Sequence, residues 1–377
     1  MSRWELVFWA SAVLVTYPYV IYPALLIAFN RLLSRKVAVH ATTFEPTITI
    51  ILPVANEAKR IEAKLKNIQA LNYPRDRMQV IVVGDGCTDS TLDVARSAHA
   101  VTVTALPQRS GKAAALNAGL ALATGEIIVF TDAAIILDAN SLYALLQHFQ
   151  NPAIGCISGE DYVEGGGSEG LYGRLELLLR REEAKLHSVA GASGCFYAQR
   201  KSLCKPFIGG MAPDFLSVLN TVAAGFRAVC EPQARGAMTA TNSQSAEFTR
   251  KGRTFLRGIT ALFGNAVLLN PFKYPLFSFI LLSHKLMRWL APIPMALCFL
   301  AAWSLRGHGF YMAALVAQLA FYVLAALGTL WPTLSERNFV VRFCAFFVLV
   351  NVAALKALLL WLIGRRVEIW EPTRRPS

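Results

Sequence analysis

Twenty-four consecutive residues, Leu6 to Phe29, carry no charge, and the run is followed by Arg31, Arg35 and Lys36. At about 1.5 Å rise per residue such a helix reaches about 36 Å, against a hydrocarbon core of about 30 Å. The run exceeds the apolar stretch of a secretory signal, about 7–15 residues, and no small-residue cleavage site follows it. It reads as a retained transmembrane helix. The basic residues behind it place the middle of the chain on the cytoplasmic side.

The other end repeats the pattern. Trp289 to Leu305 and Gly307 to Ser335 are uncharged, and Phe343 to Ile363 is apolar apart from Asn351 and Lys356. A lysine inside a span is costly unless it snorkels near an end, which makes this third run the weakest. Pro275 to Met287, carrying His284 and Lys285, reads as an interfacial helix, with Trp289 in an aromatic belt. A cytoplasmic middle followed by three spans puts the C-terminus outside, whereas Arg365, Arg366, Arg374 and Arg375 argue for inside. The number of C-terminal spans, two or three, stays open.

Only 16% of the 377 residues are charged and 55% are apolar, against about 25% charged in a soluble domain. This excludes disorder. The net charge of +13 invites a nucleic-acid partner, but its distribution argues otherwise. Residues 1–43 hold four basic and one acidic residue, 44–270 hold 22 and 20, and 271–377 hold 11 and three. The middle is nearly neutral and offers no basic face, so nucleic acid is not expected as a partner. The excess sits beside apolar flanks, where it suits membrane lipids. Seven scattered cysteines without a CxxC pair fit reduced thiols. The organisation expected is an N-terminal transmembrane helix and linker (1–43), a cytoplasmic α/β domain (44–270), and a helical membrane region with a basic tail (271–377).

Within the middle, β-rich runs alternate with helical spacing. Thr47–Val54, Gln79–Val83, Val101–Ala105 and Glu126–Phe130 read as strands. Helices are expected up to Ala70, over Thr88–Ala98 with Thr88 as N-cap, and over Gly111–Ala123. Such alternation indicates a mostly parallel sheet covered on both faces, with ligands at the carboxyl ends of its strands. That rule selects Asn56-Glu57, Asp85 and Asp132. Turns favour Asp and Asn in any case, so the weight lies in three acids at three strand ends.

Together, PVANEAKRIEAKLKNIQALNYPRDRMQVIVVGDGCTDST (53–91), SGKAAALNAGLALATGEIIVFTDA (110–133), GASGCFYA (191–198), APDF (212–215) and SHKLMRWLAP (283–292) resemble membrane-embedded family 2 glycosyltransferases. The likeness is to the cellulose-synthase-like kind, including poly-N-acetylglucosamine and hyaluronan synthases. The resemblance implies a GT-A, Rossmann-like domain set between the membrane helices. It implies that Glu57 and Asp85 hydrogen-bond the uracil and ribose of a UDP-sugar, that Lys112 lies near the nucleotide, and that Asp132 opens a DxD motif. In that motif a divalent metal, Mn²⁺ or Mg²⁺, neutralises the departing diphosphate. Ala134 replaces the usual second ligand here, so either metal binding is weakened or another ligand compensates. Asp214 matches the family's catalytic base, which takes the acceptor's proton; its plainer reading is an N-cap.

Processive synthases carry QxxRW where this chain has Arg250, Arg253 and Thr254. Arg253 keeps the phosphate-binding arginine, while the aromatic platform is missing. Arg257 equally suits a basic strip facing lipid headgroups. His284 reads as a structural interfacial residue, and Gly165 to Gly167 as a loop rather than a phosphate cradle.

The implied activity is inverting transfer of GlcNAc or Glc from a UDP-sugar to a glycan or lipid-linked acceptor at the inner membrane, in exopolysaccharide synthesis. Other polysaccharide-export subunits are candidate partners. Two alternatives stand beside it: a transferase adding a single sugar, and a non-catalytic GT-A-like subunit of an assembly complex.

Overall fold

The computed structural model describes residues 1–33, 44–163, 170–238 and 244–366. Arg35, Lys36, Gly165 to Gly167, Arg374 and Arg375 lie outside them. The four expected strands form as β1 (Ile48–Val54), β2 (Met78–Asp85), β3 (Thr102–Leu106) and β4 (Ile127–Thr131). They pair in parallel in the order β3-β2-β1-β4. Four further strands, which the sequence reading did not anticipate, extend the sheet to eight: β5 (Ile135–Leu137), β6 (Ile154–Val163), β7 (Phe196–Arg200) and β8 (Arg227–Met238). β7 runs antiparallel to β4 and β6, so the sheet is mixed beyond its first half. β6 and β8 carry glycines, acids or a proline in place of an apolar run, which hides them from a search by hydrophobicity.

β1 shows why this half folds as it does. Side chains alternate across a strand, and every residue of β1 is buried. Ile48, Ile50, Leu52 and Val54 enter one core with Ile61, Leu65 and Ile68 of the helix Ala58–Gln69. Ile51 enters the other core, on the opposite face, with Ala115 and Leu116 of the helix Lys112–Leu122. The helix after β2 begins at Thr91, where Asp89 Oδ1 accepts from the Thr91 amide at 3.1 Å. Thr88 is therefore no cap; its amide donates to Asn56 Oδ1 at 2.8 Å and ties together the loops after β1 and β2.

Among the described residues, three helices are long and apolar enough to cross a membrane: Arg3–Leu32, Gly309–Leu330 and Phe339–Leu362. The first opens with a capping box between Ser2 and Glu5 and loosens to a π-turn at Tyr17–Ile21. Pro18 and Pro23, which lack an N–H, accompany the loosening. The run with Lys356, expected to be the weakest, is one continuous helix, and the Lys356 ammonium lies 5.4 Å from the Phe248 ring centroid. A protein contact accommodates that charge.

Pro275–Leu290 and Pro292–Ser304 form a pair bent by 55°. Pro292–Ser304 has 13 residues, about 20 Å of helix, too short to cross alone. The segment expected to lie at an interface buries one face against the protein, with Phe277, Leu281 and His284 buried, while Leu276 is 43% exposed. Trp289 likewise leaves the expected aromatic belt. A Cβ on Gly258 would lie 3.0 Å from its ring, so the glycine makes room for it.

Candidate active site

The order β2-β1-β4 sets the ends of three parallel strands side by side, and Asp85, Asn56-Glu57 and Asp132 occupy them. Asn56 turns the chain after β1 at φ 55°. The Glu57 amide donates to Thr91 Oγ1 at 2.8 Å, and its carboxylate accepts from Arg60 Nη1 at 2.8 Å. Ionised carboxylates offer about four acceptor positions, so the Arg60 contact leaves Glu57 capacity for a ligand.

Asp85 does something other than face open space. It is 0% exposed; Oδ1 accepts from the Ser110 amide at 2.6 Å and Oδ2 from the Gly111 amide at 3.0 Å. The carboxylate thus clamps the loop that delivers Lys112. Gly86 permits the approach: its φ is +58°, and a Cβ there would lie 2.5 Å from the Arg109 nitrogen.

Lys112 begins the next helix and reaches across to β4. Its Nζ donates to Asp132 Oδ1 at 2.6 Å and to the Gly194 carbonyl at 3.0 Å. Burial acts most strongly, to lower the Lys112 ammonium, but Asp132, Cys195 and Asp214 together outweigh it and hold the group above its ordinary value. Gly194 also meets the expected base, since a Cβ on it would lie 3.8 Å from the Asp214 carboxyl carbon. One glycine thus accepts from Lys112 and lies beside Asp214, and Lys112 holds Asp132 at the same place.

Asp214 lies in the first turn of the helix Pro213–Ala223, and Ala212, not Asp214, is the N-cap. Burial raises its carboxyl above the ordinary value, with Lys112, Lys285 and Arg180 drawing it back. A half-buried carboxylate of raised pKa is the more effective proton acceptor, which suits the role expected of Asp214. Arg253 stands on a different element, the helix Gln244–Gly264, one turn before Arg257. Burial first, and then Arg253, push Arg257 down to about 10, while Asp214 raises it. The basic strip therefore lies within electrostatic reach of Asp214. Thr254, in the place of the missing tryptophan, is exposed and donates to the Arg250 carbonyl at 2.9 Å.

Several residues here escaped the sequence reading. Lys285 is one: a Cβ on Gly191 would lie 3.5 Å from its Nζ. His284, expected to be structural, is 1% exposed, between Glu183 Oε1 at 2.6 Å and Glu176 Oε2 at 2.9 Å, partners the sequence did not disclose. Lys64 is 0% exposed and donates to Thr131 Oγ1 at 3.0 Å and to the Ile135 carbonyl at 2.7 Å, directly beneath the Asp132 turn. It was discoverable, because it interrupts the buried stripe Ile61, Leu65, Ile68 at a helical spacing where a surface lysine does not belong.

Burial pushes the Lys64 ammonium down to about 7, with Asp132 opposing. The unfolded chain keeps this lysine charged up to about 10.4. Between the two values the unfolded state binds the extra proton, so stability rises with pH through that window and is least below it. Thermal unfolding in detergent is expected to gain on the order of 1 kcal/mol per pH unit from pH ~7 upward, and Lys64→Met to flatten that slope. An unchanged slope in the variant removes Lys64 as the cause.

A divalent metal fits these residues poorly. Asp132 is a single carboxylate already paired with an ammonium, Ala134 supplies no ligand atom, and among the described residues no group of three or more His, Cys, Asp or Glu could hold an ion. Oxygen-bound cations of this class need several hard ligands.

The profile described as Glycosyl transferase family 2 matches residues 49–206. Over 182 residues the chain is 26% identical to a poly-beta-1,6-N-acetyl-D-glucosamine synthase of Staphylococcus aureus (strain COL), covering 45% of this chain and 43% of that protein. The corresponding synthase of Staphylococcus epidermidis is 25% identical over 189 residues, covering 47% and 44%. The chain thus spans less than half the length of the curated relatives it matches. Among solved structures, a mannosyltransferase from Pyrobaculum calidifontis in complex with GDP-Man and Mn²⁺ superposes with a TM-score of 0.74, covering 96% of this chain and 100% of that one at 23% identity. That likeness shows the fold. The chain carries a family 2 glycosyltransferase domain on a GT-A fold, flanked by helices long and apolar enough to span a membrane.

Proposed function

We propose that this chain is an inverting glycosyltransferase, a multi-pass protein of the inner membrane with its catalytic domain in the cytoplasm. It moves a sugar from a UDP-sugar to a growing polysaccharide or a lipid-linked acceptor. The observation that carries this reading is the convergence of Lys112, Asp132 and Asp214 at Gly194, beside the strand ends. The names of the staphylococcal relatives support N-acetylglucosamine as the sugar, with glucose the second choice.

In a single displacement, the acceptor hydroxyl attacks the anomeric carbon, Asp214 takes its proton, and the bond to the β-phosphate oxygen breaks with its electron pair leaving on UDP. The product is a β-glycoside. Asp85 acts through the Ser110–Gly111 amides by fixing where Lys112 stands, Glu57 is the candidate contact to the nucleoside, and Arg253 to phosphate. Single addition is favoured over long processive synthesis by Thr254, which is exposed and bonded to its own helix. It offers an acceptor sugar no ring to stack on.

The test is UDP release from a panel of nucleotide sugars by membranes containing the protein, with product size measured. One donor is expected to stand clear of the rest and to give short products. Release at background level with every donor rejects the enzyme in favour of the non-catalytic subunit.

A further inference from the structure

We propose that the leaving diphosphate is neutralised by fixed lysine charge centred on Lys112, and that this chain binds its nucleotide without a divalent metal ion. The inference rests on the glycosyltransferase reading for its chemistry, but its binding test does not.

The turn after β4 is the place where an ion would sit. Its first position is a carboxylate, Asp132, and its third is Ala134, which ends at a methyl group. The carboxylate is occupied: Lys112 Nζ donates to Asp132 Oδ1 at 2.6 Å and is anchored a second time on the Gly194 carbonyl at 3.0 Å. On the buried side, Lys64 Nζ holds Thr131 Oγ1 at 3.0 Å and the Ile135 carbonyl at 2.7 Å, the residues on either side of the turn. Two lysine amines therefore bracket a turn with a single acid. A divalent ion seated on Asp132 would have to displace an ammonium hydrogen-bonded to the same oxygen, or share the oxygen with it against like-charge repulsion. Among the described residues, no group of three or more His, Cys, Asp or Glu is placed to complete its shell.

The same arrangement meets the chemical need directly. Charge accumulates on the β-phosphate as its bond to the anomeric carbon breaks, and fixed ammonium or guanidinium groups stabilise such charge by the same electrostatics as a metal. Lys112 is pre-positioned for this by three contacts at once: Asp132, Gly194, and the loop that Asp85 clamps through the Ser110 and Gly111 amides. No proton moves in this step. The ammonium stays charged, UDP leaves with the electron pair, and the acceptor's proton goes to Asp214. Asp132 is then a positioning residue for Lys112.

The full chain in detergent is titrated with UDP by calorimetry, in EDTA and again in excess MnCl₂, and UDP release is followed in both buffers. The two dissociation constants are expected to agree within about threefold, and Lys112→Met to weaken UDP about 30-fold in both buffers, the loss of one charge-assisted contact. Ala134→Asp adds a second carboxylate at a half-buried position and is expected to create a Mn²⁺ response that the parent lacks. Tightening of the parent by Mn²⁺ beyond threefold overturns the proposal, and so does failure to bind UDP in EDTA. Because the parent alone decides this, misfolding of either variant leaves the test intact. Metal-independent binding without turnover of any nucleotide sugar sinks the enzyme reading and keeps this inference. Turnover that requires Mn²⁺ does the reverse.

Discussion

Asp214→Asn is expected to lower UDP release about 10³-fold, within the range that a positioned general base contributes, while UDP binding stays within about threefold. Asparagine has the shape of aspartate and no capacity to take a proton at neutral pH. Gly194 leaves room for it, since even a Cβ added there would stand 3.8 Å from the carboxyl carbon, an ordinary van der Waals separation. The pH profile gives a second reading. Burial raises the Asp214 carboxyl, with Lys112, Lys285 and Arg180 only partly offsetting it. The base is active when ionised, so the rate falls as pH drops through its pKa. That acid limb is expected above the ordinary aspartate value of about 3.9. A variant with full activity, or an acid limb at or below the ordinary value, removes Asp214 from the role.

The second large effect concerns stability. Glu183 is 0% exposed and accepts from Tyr22 Oη at 2.8 Å, from His284 Nδ1 at 2.6 Å and from the Ala190 amide at 2.9 Å. Those donors come from the first long helix, from the bent pair and from the loop leading to Gly191–Gly194. Beside it, Glu176 receives His284 Nε2 at 2.9 Å and Arg288 Nη1 at 3.0 Å. Burial opposes the Glu176 charge, yet His284 and Arg288 hold its carboxyl well below the usual range. Glu183→Ala strands three buried donors and is expected to destabilise the protein by about 3–5 kcal/mol, the cost of breaking a buried ionic network from one side. Tyr22→Phe removes one neutral donor and is expected to cost about 1 kcal/mol. Thermal unfolding in detergent separates them; equal effects would show that Glu183 holds only the tyrosine.

The two halves of the sheet differed in how readily the sequence disclosed them, for a physical reason. β1, β2 and β4 are buried on both faces, so they appear as unbroken apolar runs. β6 and β8 are interrupted by glycines, acids or a proline, and β7 is a five-residue run that ends in Gln-Arg, so none of the three shows an unbroken apolar pattern. Site residues on parallel strand ends were predictable because topology alone places them, as with Glu57, Asp85 and Asp132. What the sequence could not disclose was whom they serve. Asp85 clamps a loop, Asp132 holds Lys112, and Lys285 approaches the base across a distance of about seventy residues in the chain. Such pairings depend on tertiary approach, and only Lys64 left a local trace, as a charge in an apolar stripe.

The seam drawn from composition between residues 270 and 271 crosses a single packed core. Val350, Ala353, Ala354, Ala357 and Leu358 of the last helix belong to the same cluster as Phe215, next to the base, and as Leu256 and Ile259. A fragment cut at that seam would lose one side of the cluster that holds Phe215, the neighbour of Asp214, and expose its apolar residues to water. The last long helix is thus a structural component of the domain that holds Asp214, and excision of residues 44–270 is the wrong starting point for measuring activity.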